Sequence, residues 1–157
     1  MNEFTAKKMG EVLAFNQLGT DTLEKGKNAL VEALGAEKVK DMEEKHKLHA
    51  EAIVSIATES GVIDTTLSKV EKTKEKLSKM RDLYIGDQWD NATELFEWGG
   101  FFEGAAIVHW NVVKGAALAL DIPTLASLCE EGIEYHYGNL EILEQELTER
   151  GSSKATA

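Results

Sequence analysis

The sequence predicts an all-α fold: a four-helix bundle of two antiparallel hairpins joined by a long crossover that carries an extra helical segment. Three observations predict it. One proline in 157 residues and few β-branched runs favour helix over strand. Apolar residues recur at three- and four-residue steps through four long stretches, the spacing of a buried helical face. Tight turns join the first two stretches and the last two, whereas roughly 30 residues separate the pairs, as in bundles with one long crossover.

The first helix is expected from about Phe4 to Leu34, with the inward seam Met9, Val12, Asn16, Gly19, Leu23, Gly26, Leu30 and Leu34. Gly35 offers its C-terminal stop. A second helix runs from about Glu37 to Ser60 and ends at Gly61. Asp64 is placed to cap a third, more polar segment that reaches about Tyr84. Gly86 and Asp87 break the chain, and Asp90 is the expected cap of a long helix ending near Leu120. Asp121 and Pro123 open the last helix, with proline in the first turn, and it runs to about Arg150. Residues 1–150 thus form one domain, and 151–157 a small, polar, frayed tail.

The net charge of −11 argues against nucleic acid and anionic membranes as partners. Lys69 to Arg81 goes the other way, with six basic and two acidic residues, and reads as a solvated helix face. Cys129 is the only cysteine, so no intrachain disulfide forms; it falls on the last helix's seam and is expected to pack as a small apolar side chain. The N-terminus lacks an apolar signal-peptide core. The most apolar stretch, Ala105 to Leu120, carries His109, Asn111 and Lys114 and is too short and polar for a membrane span. A cytoplasmic location is expected.

All four histidines occupy positions where the helical pattern calls for an apolar residue. His46 and His49 interrupt the seam Val39, Met42, Ile53, Ile56; His109 interrupts Phe102, Ala106, Val113; His136 interrupts Cys129, Ile133, Leu140, Leu143. At 1.5 Å per residue, His46 and His49 lie roughly 16–21 Å from the turn at Gly35, and His109 and His136 roughly 18–22 Å from the turn at Asp121. Four imidazoles are therefore expected near mid-bundle. The first helix supplies no histidine and must offer a carboxylate or an amide. Interior imidazoles must have their nitrogens satisfied, and a metal ion is one way to do so.

Carboxylates accompany them. Glu43 and His46 form a Glu-x-x-His pair on one helical face. Glu103 sits in the apolar run Phe101-Phe102-Glu103-Gly104-Ala105-Ala106, where a carboxylate needs a partner. Glu11 flanks the first helix's seam. On the last helix Glu130, Glu131 and Glu134 precede His136, but Ile133 stands where a Glu-x-x-His pair would have its glutamate.

These segments resemble the ferritin-like superfamily, especially its bacterioferritin and rubrerythrin branches. Glu11-Val12-Leu13-Ala14-Phe15-Asn16-Gln17-Leu18 is similar to the first-helix ligand segment, Glu43-x-x-His46 to the second-helix ligand pair, Glu103-Gly104-Ala105 to the third-helix ligand context, and Glu130-Glu131-Gly132 to the fourth-helix segment. The resemblance implies a di-iron site and oxidation of ferrous iron by oxygen or peroxide. The candidate ligands are Glu11, Glu43, His46, His49, Glu103, His109 and His136, for one or two iron ions, with manganese or zinc as alternatives. Three features depart from the pattern: Ile133 replaces a glutamate, Glu11 lies far from His46 if the first turn is at Gly35, and His49 and His109 are surplus imidazoles. Two other readings stay open: a ferritin-like bundle without a working metal site acting as a dimeric stress or interaction protein, and a binder of haem or an apolar ligand. Trp98, Phe101, Phe102 and Trp110 make their helix apolar on more than one face, from which a homodimer or larger assembly is expected.

Overall fold

The computed structural model describes residues 1–157 as six α-helices with no strand, as an all-α sequence requires. They are α1 (Glu3–Lys25), α2 (Lys27–Leu34), α3 (Ala36–Glu59), α4 (Ile63–Ile85), α5 (Ala92–Ala119) and α6 (Pro123–Ala155). No helix is long and apolar enough to cross a membrane.

The boundaries follow local chemistry and correct the expected ones in four places. The first helix does not run unbroken to Leu34. It breaks at Gly26, where Leu95 of α5 occupies the space a side chain would fill, 2.8 Å from an ideal Cβ. Glycine there weakens the helix and admits α5 at the same point. The stop at Gly35 holds, and its φ of 90° is a conformation that favours glycine. Asp64 lies in the first turn of α4, not at the cap, which is Val62. Asn91 replaces Asp90 as the cap of α5: its extended backbone lets the side-chain oxygen accept from the Thr93 N–H at 3.1 Å. Finally, α6 extends to Ala155, past its expected end near Arg150, with residues 151–155 exposed.

The contacts fix the directions of the helices. Phe15 packs on Phe102, Glu11 lies by His109 and Gly26 by Leu95, so α5 descends along α1 as α1 rises. Gly99 meets Leu143, Glu103 meets His136 and Trp110 meets Gly132, so α6 runs back up α5. His46 meets Asn16, which pairs α3 with α1, and Tyr135 donates to the Met42 carbonyl, which pairs α6 with α3. Helix α4 lies parallel to α1, with Thr66 against Gly10 and Arg81 bonded to Asp21 at 2.7 Å.

Two apolar clusters fill the interior. One gathers Met9, Val12, Leu13, Ile53, Trp110, Val113, Leu125 and Cys129. The other gathers Phe15, Leu18, Leu30, Val39, Leu95, Phe96, Phe102 and Leu143. Cys129 is fully buried, as its seam position predicts, and burial pushes its thiol up to about 12. Among the buried polar side chains, Asn16, His46, Glu103, His136 and Asn139 are linked by hydrogen bonds and a ring contact, with His49 beside them across Tyr135. A polar layer therefore interrupts the core at mid-height, and hydrogen bonds must hold it.

Candidate polar centre

Hydrogen bonds across each antiparallel pair build the centre. Between α1 and α3, Asn16 donates its amide N–H to the Val12 carbonyl at 3.0 Å, which turns Oδ1 toward His46. His46 Nδ1–H donates to that oxygen at 3.1 Å. Between α5 and α6, His136 Nδ1–H donates to Glu103 Oε2, and Asn139 donates to Glu103 Oε1 at 3.3 Å. Both imidazoles donate from Nδ1, and Nε2 of neither ring makes a hydrogen bond. The two rings lie 6.0 Å apart, centroid to centroid.

The first helix thus contributes an amide, Asn16, to the centre. A carboxylate would hold His46 equally well, but Asn16 adds no charge to an interior that already holds Glu103. Gly19, one turn further, makes room for the ring: an ideal Cβ there would stand 2.6 Å from His46 Nε2. Tyr135 packs against His46, His49 and His136 at 5.4, 5.6 and 5.2 Å. Burial raises its phenol above the usual range, and its hydroxyl is committed to the Met42 carbonyl, so it serves as packing rather than as a relay.

His49 occupies the same layer, edge-on to Trp110 at 5.9 Å, and its Nδ1 is buried without a partner. His136 Nε2, Trp110 Nε1 and one carboxylate oxygen of Glu43 are likewise buried without partners. Burial, reinforced by the neighbouring His136, lowers His46 to about 3 and His49 to about 4. Both rings are neutral at neutral pH, the state in which an imidazole can ligate a metal.

Two predicted ligands lie elsewhere. His109 is half-buried on the flank of α5, where it stacks on Phe15 at 4.8 Å and donates Nδ1–H to the Ala105 carbonyl at 2.7 Å. Its Nε2 faces Glu11 at 3.8 Å, and Glu11 is held by Lys8 at 3.0 Å and Lys69 at 3.8 Å. This surface cluster lies apart from the His46–His136 pair, so the expectation of four inward histidines becomes three. Helix α1 places Asn16, not Glu11, opposite His46, because the break at Gly26 and the separate helix α2 shift the level of the first turn. Glu130, Glu131 and Glu134 are all exposed, so α6 offers the centre no carboxylate. Asn139 was not among the predicted donors, although its place three residues after His136 puts it on the same face.

An apolar cavity of about 60 Å³ adjoins the centre. Leu23, Leu30, Leu95, Phe96 and Phe102 line it, and His46, Glu103 and Asn139 form its polar wall. No three histidine, cysteine or acidic side chains are gathered as a preformed metal-ligand cluster. The chain matches no known family model, no curated protein and no solved structure.

Proposed function

We propose that this chain is a ferritin-like bundle that binds one transition-metal ion through interior histidines, in place of a carboxylate-bridged iron pair. The helix directions support the fold part of this reading. An antiparallel α1–α3 pair and an antiparallel α5–α6 pair are joined by α4, which spans the crossover. The metal part is carried by the matched arrangement of the two pairs. Asn16 holds His46 as Glu103 holds His136, each by Nδ1, each leaving Nε2 free. Histidines that bind metals are commonly oriented by a carboxylate or carbonyl on the other ring nitrogen.

The donors suit an ion in kind. The unpartnered buried atoms of His49, His136 and Glu43 are ligand atoms. They do not suit two ions bridged by carboxylates. Glu103 is the only buried acidic residue, and His136 and Asn139 already engage it. His46 and His136 would hold the ion, with His49 or Glu43 completing the set. Imidazole suits iron or zinc better than manganese, which prefers oxygen donors. Iron would supply redox chemistry toward oxygen or peroxide, and the chain would act as an oxidoreductase; zinc would act structurally. The protein's own part is to keep His46 and His49 neutral, orient the rings of His46 and His136 through Nδ1, and exclude water with Phe102 and Tyr135.

Metal analysis of protein purified from iron- and zinc-supplemented medium tests this. The expected result is about one ion per chain, lost in His46→Ala and His136→Ala. Less than about a tenth of an ion per chain, unchanged in both variants, defeats it. The second reading is a ferritin-like bundle without a working metal site that acts as an interaction protein. The lack of three gathered ligands favours it, and stability unaffected by chelator would support it.

A further inference from the structure

The aromatic residues that suggested an assembly are mostly interior: Trp98, Phe102 and Trp110 are buried, and only Phe101 is exposed. An uncovered face remains on α5. Phe101, Val108 and Val112 are 61%, 58% and 41% exposed, and open space lies over Gly104 and Gly115 on the same side. Between Trp98 and Val113 there is no lysine, arginine or aspartate; the one glutamate, Glu103, bonds His136 in the interior, and His109 turns to Glu11 of α1. The stripe from Phe101 to Ala119 is roughly 27 Å long. An uncharged helix face of that length is unusual on a chain with net charge −11.

Opposite charges border the two edges. Helix α4 borders one edge: Tyr84 packs on Phe101 at 5.2 Å, and Lys69 lies 3.8 Å from Glu11, the carboxylate that faces His109. Lys69, Lys72, Lys76 and Lys79 fall on one face of α4 at three- and four-residue steps; Lys79 pairs with Glu75 at 2.8 Å and Lys69 with Glu11, which leaves Lys72 and Lys76 without an ion pair in the chain. Helix α6 borders the other edge, where Lys114 pairs with Glu130 at 3.6 Å. Glu130, Glu134, Tyr137, Glu141 and Glu144 share one exposed face there, again at three- and four-residue steps. The rows overlap in height. Lys69 is level with His109 through Glu11, and Glu134 stands two residues beyond Gly132, which packs on Trp110.

We infer that this face binds a second copy of the chain, about a twofold axis parallel to α5. That axis exchanges the flanks and keeps the heights. It sets the lysine row of each copy against the glutamate row of the other, and closes the two stripes on each other. A twofold axis across α5 would set lysines against lysines and glutamates against glutamates, which is unfavourable. The surface is complementary to itself, which is what an isologous contact requires and what an unrelated partner does not explain. The inference is independent of the metal proposal.

Sedimentation velocity on the full chain tests it. A dimer is expected, and Val108→Glu should weaken it at least about tenfold, with an unchanged helical circular-dichroism spectrum. The charge rows give a second test that does not depend on that variant. Lys72→Glu with Lys76→Glu should weaken the dimer, as should Glu134→Lys with Glu141→Lys. All four changes together should restore it, because the rows then exchange signs. Phe101→Cys and Val112→Cys, made separately, should each cross-link to their own copy on oxidation, since a parallel axis sets every stripe residue opposite itself. Cys129 is buried and does not interfere. A monomer at every concentration up to about 100 μM overturns the inference. So does a fourfold variant no tighter than the double variants, or cross-linking at only one of the two positions.

Discussion

Two histidine–glutamate pairs bridge helices in this molecule, and their surroundings give them different roles. The His136 and Glu103 side chains are 0% and 6% exposed, in direct hydrogen bond, with Asn139 completing the carboxylate. The His109 and Glu11 side chains are 34% and 12% exposed and 3.8 Å apart, with two lysines competing for the carboxylate. The first pair leaves a ring nitrogen buried and unanswered. The second belongs to a surface ion network. The residue types are the same; burial and the neighbouring lysines decide which pair shapes an interior site and which only helps to tie α1, α4 and α5 together.

If burial is the difference, pH should reveal it most strongly. His46 and His49 are lowered from 6.5 to about 3 and about 4, so the unfolded chain takes up their protons first. Their contribution is fully present above pH 6.5 and is lost as pH falls toward 4, by on the order of 1.4 kcal/mol per pH unit for each ring. Urea titrations at pH 7, 6 and 5 should show a loss of several kcal/mol, and His46→Gln should remove about half of the slope. A stability flat across that range would break the comparison.

Glu103→Ala should come next. It strips the acceptor from His136 and from Asn139 in a closed interior, at a cost of about 3 kcal/mol in denaturant unfolding. Gly19→Ala follows, because its new methyl must displace the His46 ring, and about 1–3 kcal/mol is expected. Its loss should be smaller in a His46→Ala background, since the two groups compete for one space. Glu11→Ala is the smallest: removal of a carboxylate held by partly exposed lysines should cost no more than about 1 kcal/mol and should fade in high salt. An effect as large as that of Glu103→Ala would place Glu11 in the interior after all.

Helical periodicity made most of the fold legible in advance. Seam positions such as Met9, Val12, Ile53 and Leu125 are buried where the pattern puts them. The turn at Gly35 and the proline in the first turn of α6 were equally legible, because both rest on backbone chemistry that one residue imposes. The break at Gly26 was not, since glycine is tolerated inside helices and it is Leu95, distant in sequence, that fills the space beside it. For the centre, His46, His49, Glu103 and His136 could be identified because each violates an apolar pattern. Asn16 stood in the seam too, but its role depends on facing His46. His109 violates the same pattern, yet its ring turns to the Ala105 carbonyl and the α1 surface.

By itself the sequence determined which segments are helical and which apolar faces turn inward, because these depend on periodicity and on local backbone preference. Only the tertiary structure decided which polar residues meet. The approach of α1 to α3 assigned Asn16 to His46 and left Glu11 to the lysines; the approach of α5 to α6 gave Glu103 to His136. Spacing along a helix fixes an angle and a height. Hydrogen bonding between helices also requires their relative level, and here that was set by packing around Gly26 and Gly19.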